Sequence, residues 1–277
     1  MTAAAPLVSV CIPTYKGART IGPAIASVLA QTFVDFELII IDDGSPDDTA
    51  AVVAGFQDAR LRYLRNPTNL GPEGNWNRCL AEARGTYFKL LPHDDLLAPH
   101  CLMRQVAVFE ADATQSLALV FTARDVLGPD GRRLTARGYP GGSEGRLAAQ
   151  QVMRSCVRRG TNLLGEPGAV LFRRSTAQAV GQFDATNPYV IDLDYWFRLL
   201  AHGDAYFCDE PLASFRVSAQ SWSWRIGGSQ ASEFLSFARR VAKRLNSPVS
   251  ALDLFWARLA ATKNMWLRHV FYKVYLR

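Results

Sequence analysis

Residues 36–48 read FELIIIDDGSPDD. An apolar run rich in β-branched residues, FELIII, stops at two carboxylates, Asp42 and Asp43. A short run of this kind bounded by turn residues reads as a buried strand. Ser45 and Pro46 suit the N-cap and first position of a helix, predicting one over 46–55. A buried strand that delivers charge into a loop and then a helix is the repeating unit of an α/β sheet.

The same pattern recurs on both sides. Before it, LVSVCI (7–12) reads as a strand and PTYKGART as a loop, and residues 20–31 read as a helix with Thr20 as N-cap. After it, LRYLR (61–65) is a strand, NPTNLGPEGNWN turns into a helix ending near Gly85, and TYFKLL (86–91) is a strand that leads into LPHDDLL. This alternation predicts a mostly parallel sheet flanked by helices, in which ligands bind beyond the carboxyl ends of the strands. PTYK, DDGS and HDD all follow strands directly and are therefore expected on one sheet edge. Further along, LALVFTA (117–123) and AVLFRR (169–174) read as strands. GPDGRR reads as a hairpin-like turn, and 146–159, 192–203 (ended by Gly203) and 230–245 read as helices. Pro248 interrupts, and 249–276 reads as one or two further helices. No internal repeat is evident.

Composition limits the classes available. The chain has 277 residues, 49% hydrophobic and 20% charged, which excludes a disordered polypeptide and allows a core without disulfide staples. Its five cysteines are odd in number and widely spaced, with no CxxC, which favours reduced thiols and a cytoplasmic setting. The N-terminus lacks the pattern of a signal peptide, and no apolar run is long enough to span a membrane. The net charge of +6 is modest, and no nucleic-acid recognition motif accompanies it. The phosphate-binding GxxxxGK[ST] and dinucleotide-binding GxGxxG patterns are both absent, which argues against kinases and dehydrogenases.

Two acidic pairs, Asp42–Asp43 and Asp94–Asp95, stand at neighbouring strand ends. They repel unless a cation sits among them or a ligand donates hydrogen bonds. Mg²⁺ and Mn²⁺ favour such oxygens and are commonly held by one or two carboxylates plus a substrate's phosphates. A carboxylate at a strand tip can also accept hydrogen bonds from a base or ribose, and the Tyr15 ring can stack on a base. Asp192 and Asp194, at the start of a helix, point to different faces. Either favours the helix N-terminus through its dipole or acts as a general base.

Three stretches together resemble family 2 glycosyltransferases of the GT-A fold: VSVCIPTYKGARTIGPAIASVLAQTFVDFELIIIDDGSPDDT, NLGPEGNWNRCLAEARGTYFKLLPHDDLL and GQFDATNPYVIDLDYWFRLLAHG. They resemble in particular the non-processive enzymes of bacterial surface-polysaccharide assembly. The resemblance implies inverting transfer from a UDP-, dTDP- or GDP-linked sugar to a glycan or lipid-linked acceptor, assisted by Mg²⁺ or Mn²⁺. It implies a catalytic domain over 1–220, with a nucleotide-sugar half (1–110) and an acceptor half (111–220). Residues 221–277 then form a C-terminal extension.

In this reading Pro13, Thr14, Tyr15 and Asp43 hold the nucleotide, Asp94 contacts the ribose and Asp95 ligates the metal. Asn77 matches a family asparagine. Trp76 replaces a common arginine, whose contact with the diphosphate falls to Arg78. Glu166, Pro167 and Gly168 of GEPG line the acceptor side. Asp192 is the base, with Asp194 as fallback. Ile191 stands where the family has Glu, and Ser218 where it often has a metal-reaching His. These departures keep open a second expectation, a sugar-nucleotide-binding scaffold without transfer.

From Trp222 onward, SWSWRIGG is expected to form a lid. The helices after it mix basic residues with aromatics. They are expected to pack on the catalytic domain with a solvated basic face, to touch the inner face of a membrane peripherally, or to self-associate.

Overall fold

The computed structural model describes residues 5–218, 227–244 and 247–275. The lid expected at SWSWRIGG lies largely outside them. The first four strands, β1 (Val8–Thr14), β2 (Phe36–Asp42), β3 (Leu61–Arg65) and β4 (Tyr87–Leu90), alternate with α1 (Ile21–Leu29), α2 (Thr49–Ala54) and α3 (Gly71–Glu82). Then come β5 (Leu96–Leu97), α4 (Cys101–Ala111), β6 (Leu117–Leu127), β7 (Arg133–Arg137), β8 (Gly145–Leu147) and α5 (Ala149–Arg159). The remainder is β9 (Val170–Arg173), α6 (Arg174–Val180), α7 (Ile191–Leu199), β10 (Asp204–Arg216), α8 (Gln230–Ala242) and α9 (Ala251–Tyr275).

These strands form a sheet of order β3-β2-β1-β4-β9-β6-β10-β5, with β7 on β6 and β8 on β10. The first four strands are mutually parallel, as the alternation predicts. β6 and β10 are also parallel, while β9 runs antiparallel between β4 and β6. The second half of the sheet is therefore mixed. β9 enters at the edge where β1, β2 and β4 leave, which brings GEPG to the same edge as the acidic tips.

β1 and β2 are buried at every position, because helices cover both faces. Alternate residues serve opposite cores. Cys11, Ile39 and Ile41 face one cluster with Phe88 and Trp196, while Val10, Ile12, Leu38 and Ile40 face another with Ile25 and Val106. α8 and α9 add Phe234, Phe237, Ala257 and Ala261 to the first of these clusters. All five cysteines are buried free thiols. No described helix is long and apolar enough to cross a membrane.

Some boundaries differ from expectation. The helix expected over 46–55 starts only at Thr49. Asp42 Oδ1 accepts the Ser45 N–H at 2.8 Å, and Ser45 Oγ accepts the Lys16 N–H at 2.9 Å, so Ser45 braces the loop instead of capping a helix. The residues before Ala149 form β8 on β10 and not the first turn of α5. α7 ends at Leu199, short of Gly203. Gly203 serves close packing: a Cβ there would lie 2.5 Å from the Ser116 carbonyl oxygen.

Candidate active site

The site starts at the tip of β1. Pro13 and Thr14 are its last residues, and Tyr15 beyond them is 40% exposed. The Thr14 hydroxyl is buried with no hydrogen-bond partner among the described residues. Gly17 folds the loop back so tightly that a Cβ would lie 2.2 Å from Thr14 Oγ1 and 2.9 Å from His93 Nδ1. The chain thus presents an unpartnered hydroxyl beside the HDD turn. Burial holds the His93 imidazole below its usual pKa, against the pull of Asp94 and Asp47. His93 Nδ1 lies 3.0 Å from Thr20 Oγ1, which tethers the turn to the start of α1.

β1 pairs with both β2 and β4, so Asp43 and Asp95 leave the sheet on either side of it at one edge. Asp43 is 2% exposed. Its Oδ1 accepts from Asn66 Nδ2 (2.5 Å) and the Leu70 N–H (2.8 Å), and its Oδ2 from the Gly71 N–H (3.0 Å). These bonds fix the carboxylate and the start of α3 together. Arg78 donates to Asn66 Oδ1 and to the Arg65 carbonyl, 3.2 Å away, so its guanidinium sits against the Asp43 network. Asn77 is elsewhere. Its amide donates to the Phe183 carbonyl at 3.1 Å and accepts the Phe183 N–H at 2.7 Å, which pins the segment before α7. Asn77 thus spends its side chain on the fold, bonded at both ends to Phe183.

Asp94 is half-buried, whereas Asp95 is 2% exposed. Asp95 Oδ1 accepts the Arg216 N–H at 2.9 Å, and the Arg216 guanidinium donates to the Asp94 carbonyl at 3.1 Å. The end of β10 thereby clamps the HDD turn. Burial, with the charges of Asp94 and Glu166, pushes the Asp95 carboxyl well above its usual range. Buried beside like charges, it stays ionised only where a cation compensates it.

Glu166 opens the turn Pro167–Ala169 that leads into β9. Its Oε2 accepts from Arg124 Nε at 2.5 Å. Burial works to raise its pKa, but Arg124 and Arg137 hold the carboxyl below its usual range. Beneath the turn, the wholly buried Lys89 on β4 donates to the carbonyls of Gly168 (2.8 Å) and Val170 (3.2 Å). Pro167 and Gly168 are buried, so Glu166 is the polar group this turn shows to the site.

Asp192 stands in the first turn of α7. Its Oδ1 accepts the Leu193 N–H at 2.7 Å, and its Oδ2 accepts from Asn162 Nδ2 at 2.9 Å. Burial pushes it up to about 7; the Glu166 charge adds to that effect, and the two hydrogen bonds oppose it. The Glu166 charge thus adds to the upward shift of both Asp95 and Asp192. Asp194 has other partners. It is 3% exposed and pairs with Arg198 (2.9 Å) and with Arg244 just beyond α8 (3.1 Å). Its carboxylate ties α7 to the C-terminal helices, so it is no fallback for Asp192. Arg124, Asn162, Arg216 and Lys89 were not singled out from the sequence. Arg124 and Lys89 each had a local signal, a charge inside an apolar run, LALVFTARDV and TYFKLL.

Among the described residues no three His, Cys, Asp or Glu side chains converge to hold a metal unaided. A site built on Asp95 and completed by a ligand's phosphates and water is still of the kind Mg²⁺ and Mn²⁺ adopt. The buried, charge-crowded state of Asp95 fits that arrangement.

A parallel half-sheet joined to a mixed one, with acidic tips along the shared edge, defines a GT-A α/β protein. Residues 9–181 match the model of glycosyl transferase family 2. The chain belongs to that family.

Among curated proteins it is 34% identical over 236 residues to the uncharacterized protein MT1568 of Mycobacterium tuberculosis, covering 80% of this chain and 71% of that one. It is 27% identical to an uncharacterized glycosyltransferase of Rickettsia typhi, covering 76% of this chain and 64% of the relative. Among solved structures, Staphylococcus aureus TarS 1–349 in complex with UDP-GlcNAc superposes with a TM-score of 0.70 at 14% identity, covering 98% of this chain and 76% of that one. The mannosyltransferase PcManGT of Pyrobaculum calidifontis, in complex with GDP-Man and Mn²⁺, gives 0.64 at 18% identity, covering 96% and 71%. At these identities the two structures share the fold.

Proposed function

We propose that the chain is an inverting, metal-assisted glycosyltransferase that moves a sugar from a UDP-, dTDP- or GDP-linked donor to a hydroxyl of a glycan or lipid-linked acceptor. Its setting in this reading is cell-envelope polysaccharide synthesis at the cytoplasmic face of a membrane, touched peripherally. The observation that carries the reading is the sheet geometry, in which the tips after β1, β2 and β4, with Asp43 and Asp95, share one edge with the Glu166 turn that leads into the antiparallel β9.

The two halves divide the work. In 1–110, Pro13, Thr14, Tyr15 and Asp43 receive the base and Arg78 faces the diphosphate. Asp94 meets the ribose, and Asp95 holds Mg²⁺ or Mn²⁺. Such an ion, when bound, offsets charge on the departing diphosphate. In 111–220, Glu166 is held towards the acceptor by Arg124 and Lys89, through its own carboxylate and the turn beneath it. Asp192, titrating near neutrality, takes the proton of the attacking hydroxyl. The new bond to the anomeric carbon forms as the bond to the diphosphate oxygen breaks, on opposite faces, so configuration inverts.

The test is a panel of sugar nucleotides with Mn²⁺ or Mg²⁺, with nucleoside diphosphate release as the readout. Turnover is expected with one donor class, to vanish with EDTA and to return with added metal. Donor binding with no release from any donor, in the presence of metal, would overturn transfer and leave a sugar-nucleotide-binding role.

A further inference from the structure

The helix α9 is built inside out. The most deeply buried residues of its inward side are small or polar: Asp253, Ala257 and Ala261 are essentially fully buried. Its outward stripe is large and apolar. Phe255, Trp256 and Leu259 on the first half, and Trp266, Leu267 and Val270 on the second, are each between 39% and 64% exposed. The second trio repeats the first after eleven residues, close to three helical turns, so both lie on one face. A contiguous apolar face of this kind marks a surface that meets a partner.

Charge decides which partner. Arg258, Lys263 and Lys273 are exposed along the same helix. Its one carboxylate, Asp253, is buried and paired with Arg154 (3.0 Å) and Arg158 (3.4 Å) of α5. Two copies laid face to face would oppose cations to cations. An anionic lipid surface complements both the apolar stripe and its basic flanks.

The helix is also fixed firmly to the site. Gly160, at the end of α5 with φ 62°, lets α9 approach so closely that a Cβ would lie 2.4 Å from the Ala261 nitrogen. Asn264 Nδ2 donates to the Arg159 carbonyl at 2.7 Å. Arg268 lies 5.2 Å from the centre of the Tyr189 ring, three residues before Asp192. Phe271 packs on Val126 and Val217, next to the Arg216 that clamps Asp95.

We infer that the outward face of α9 docks the protein on anionic membrane, which holds the residues beside Asp192 and Arg216, packed on the inner side of the same helix, close to the lipid surface. The inference deepens the transferase reading, on which it rests only for its purpose, the capture of an acceptor presented by lipid.

The experiment is vesicle flotation of the full chain without donor. It compares phosphatidylcholine vesicles containing about 30% phosphatidylglycerol with pure phosphatidylcholine. Wild-type protein is expected to float with the anionic vesicles and to partition roughly ten-fold or more weakly to neutral ones. The double variant Leu259→Glu/Trp266→Glu should stay at the bottom of the gradient, and Lys263→Glu should weaken binding several-fold. All the altered residues are exposed, so the thermal melting of these variants should match wild type. Absence of flotation, or equal flotation of wild type and double variant, would overturn the inference. So would a wild-type dimer that the same variants dissolve, since the face would then belong to a second copy. Donor hydrolysis measured without vesicles reports on the transferase reading separately and should be unchanged in these variants.

Discussion

Asp192 and Asp194 sit two residues apart on α7 and meet different surroundings. Asp194 is enclosed by arginines, while Asp192 has only neutral donors, Asn162 and the Leu193 amide. Removing Asp194 therefore leaves Arg198 and Arg244 without their acid. Asp194→Ala is expected to lower stability by about 1–3 kcal/mol, the loss reduced by the partial exposure of the arginines. Thermal melting reads that loss, and turnover per folded molecule should hold. Asp192→Asn should do the reverse, cutting turnover about 10²–10⁴-fold with donor-induced thermal stabilisation retained. In the proposed role Asp192 must be ionised to accept a proton, and burial pushes its carboxyl up to about 7. kcat/KM is therefore expected to rise about ten-fold per pH unit below that value and to level above it. A profile flat from pH 5 to pH 8 would remove Asp192 from the role of base.

At the scale of elements, α3 shows how a motif position can mislead. Asn77 matches the family pattern, yet both ends of its amide bond Phe183, 106 residues away. Asn77→Ala should cost about 1–3 kcal/mol through the unpaired backbone groups it leaves. Donor affinity, measured by titration calorimetry, should stay within about two-fold of wild type, far below the roughly ten-fold change that 1.4 kcal/mol of lost contact would bring.

The parallel strands were readable in advance because a strand covered on both faces is apolar over most of its length and breaks off at turn residues, as FELIIID does before Gly44. The edge to which PTYK, DDGS and HDD converge followed from that alone. Asn162 and Arg216 were not readable. Each acts across dozens of residues, on Asp192 and on Asp95, and such pairings leave no local period in the chain. The late start of α2 was hidden for a related reason: Ser45 is claimed by Asp42 and Lys16, and a sequence pattern cannot rank that use against a helix cap.

At the scale of the molecule, the parallel and mixed parts of the sheet share one edge, and the C-terminal helices are fastened to α7 and α5 through Asp194, Asp253 and Asn264. The five buried thiols are spread across these layers: Cys11 on β1, Cys79 on α3, Cys101 on α4, Cys156 on α5 and Cys208 on β10. Burial pushes Cys156 and Cys208 up to about 12 and raises Cys11 and Cys101 as well. A thiol in that state does not react with an alkylating reagent until its surroundings open. Each cysteine thus serves as a clock native to its own layer, and the rate at which a maleimide modifies it counts how often that part of the molecule comes apart.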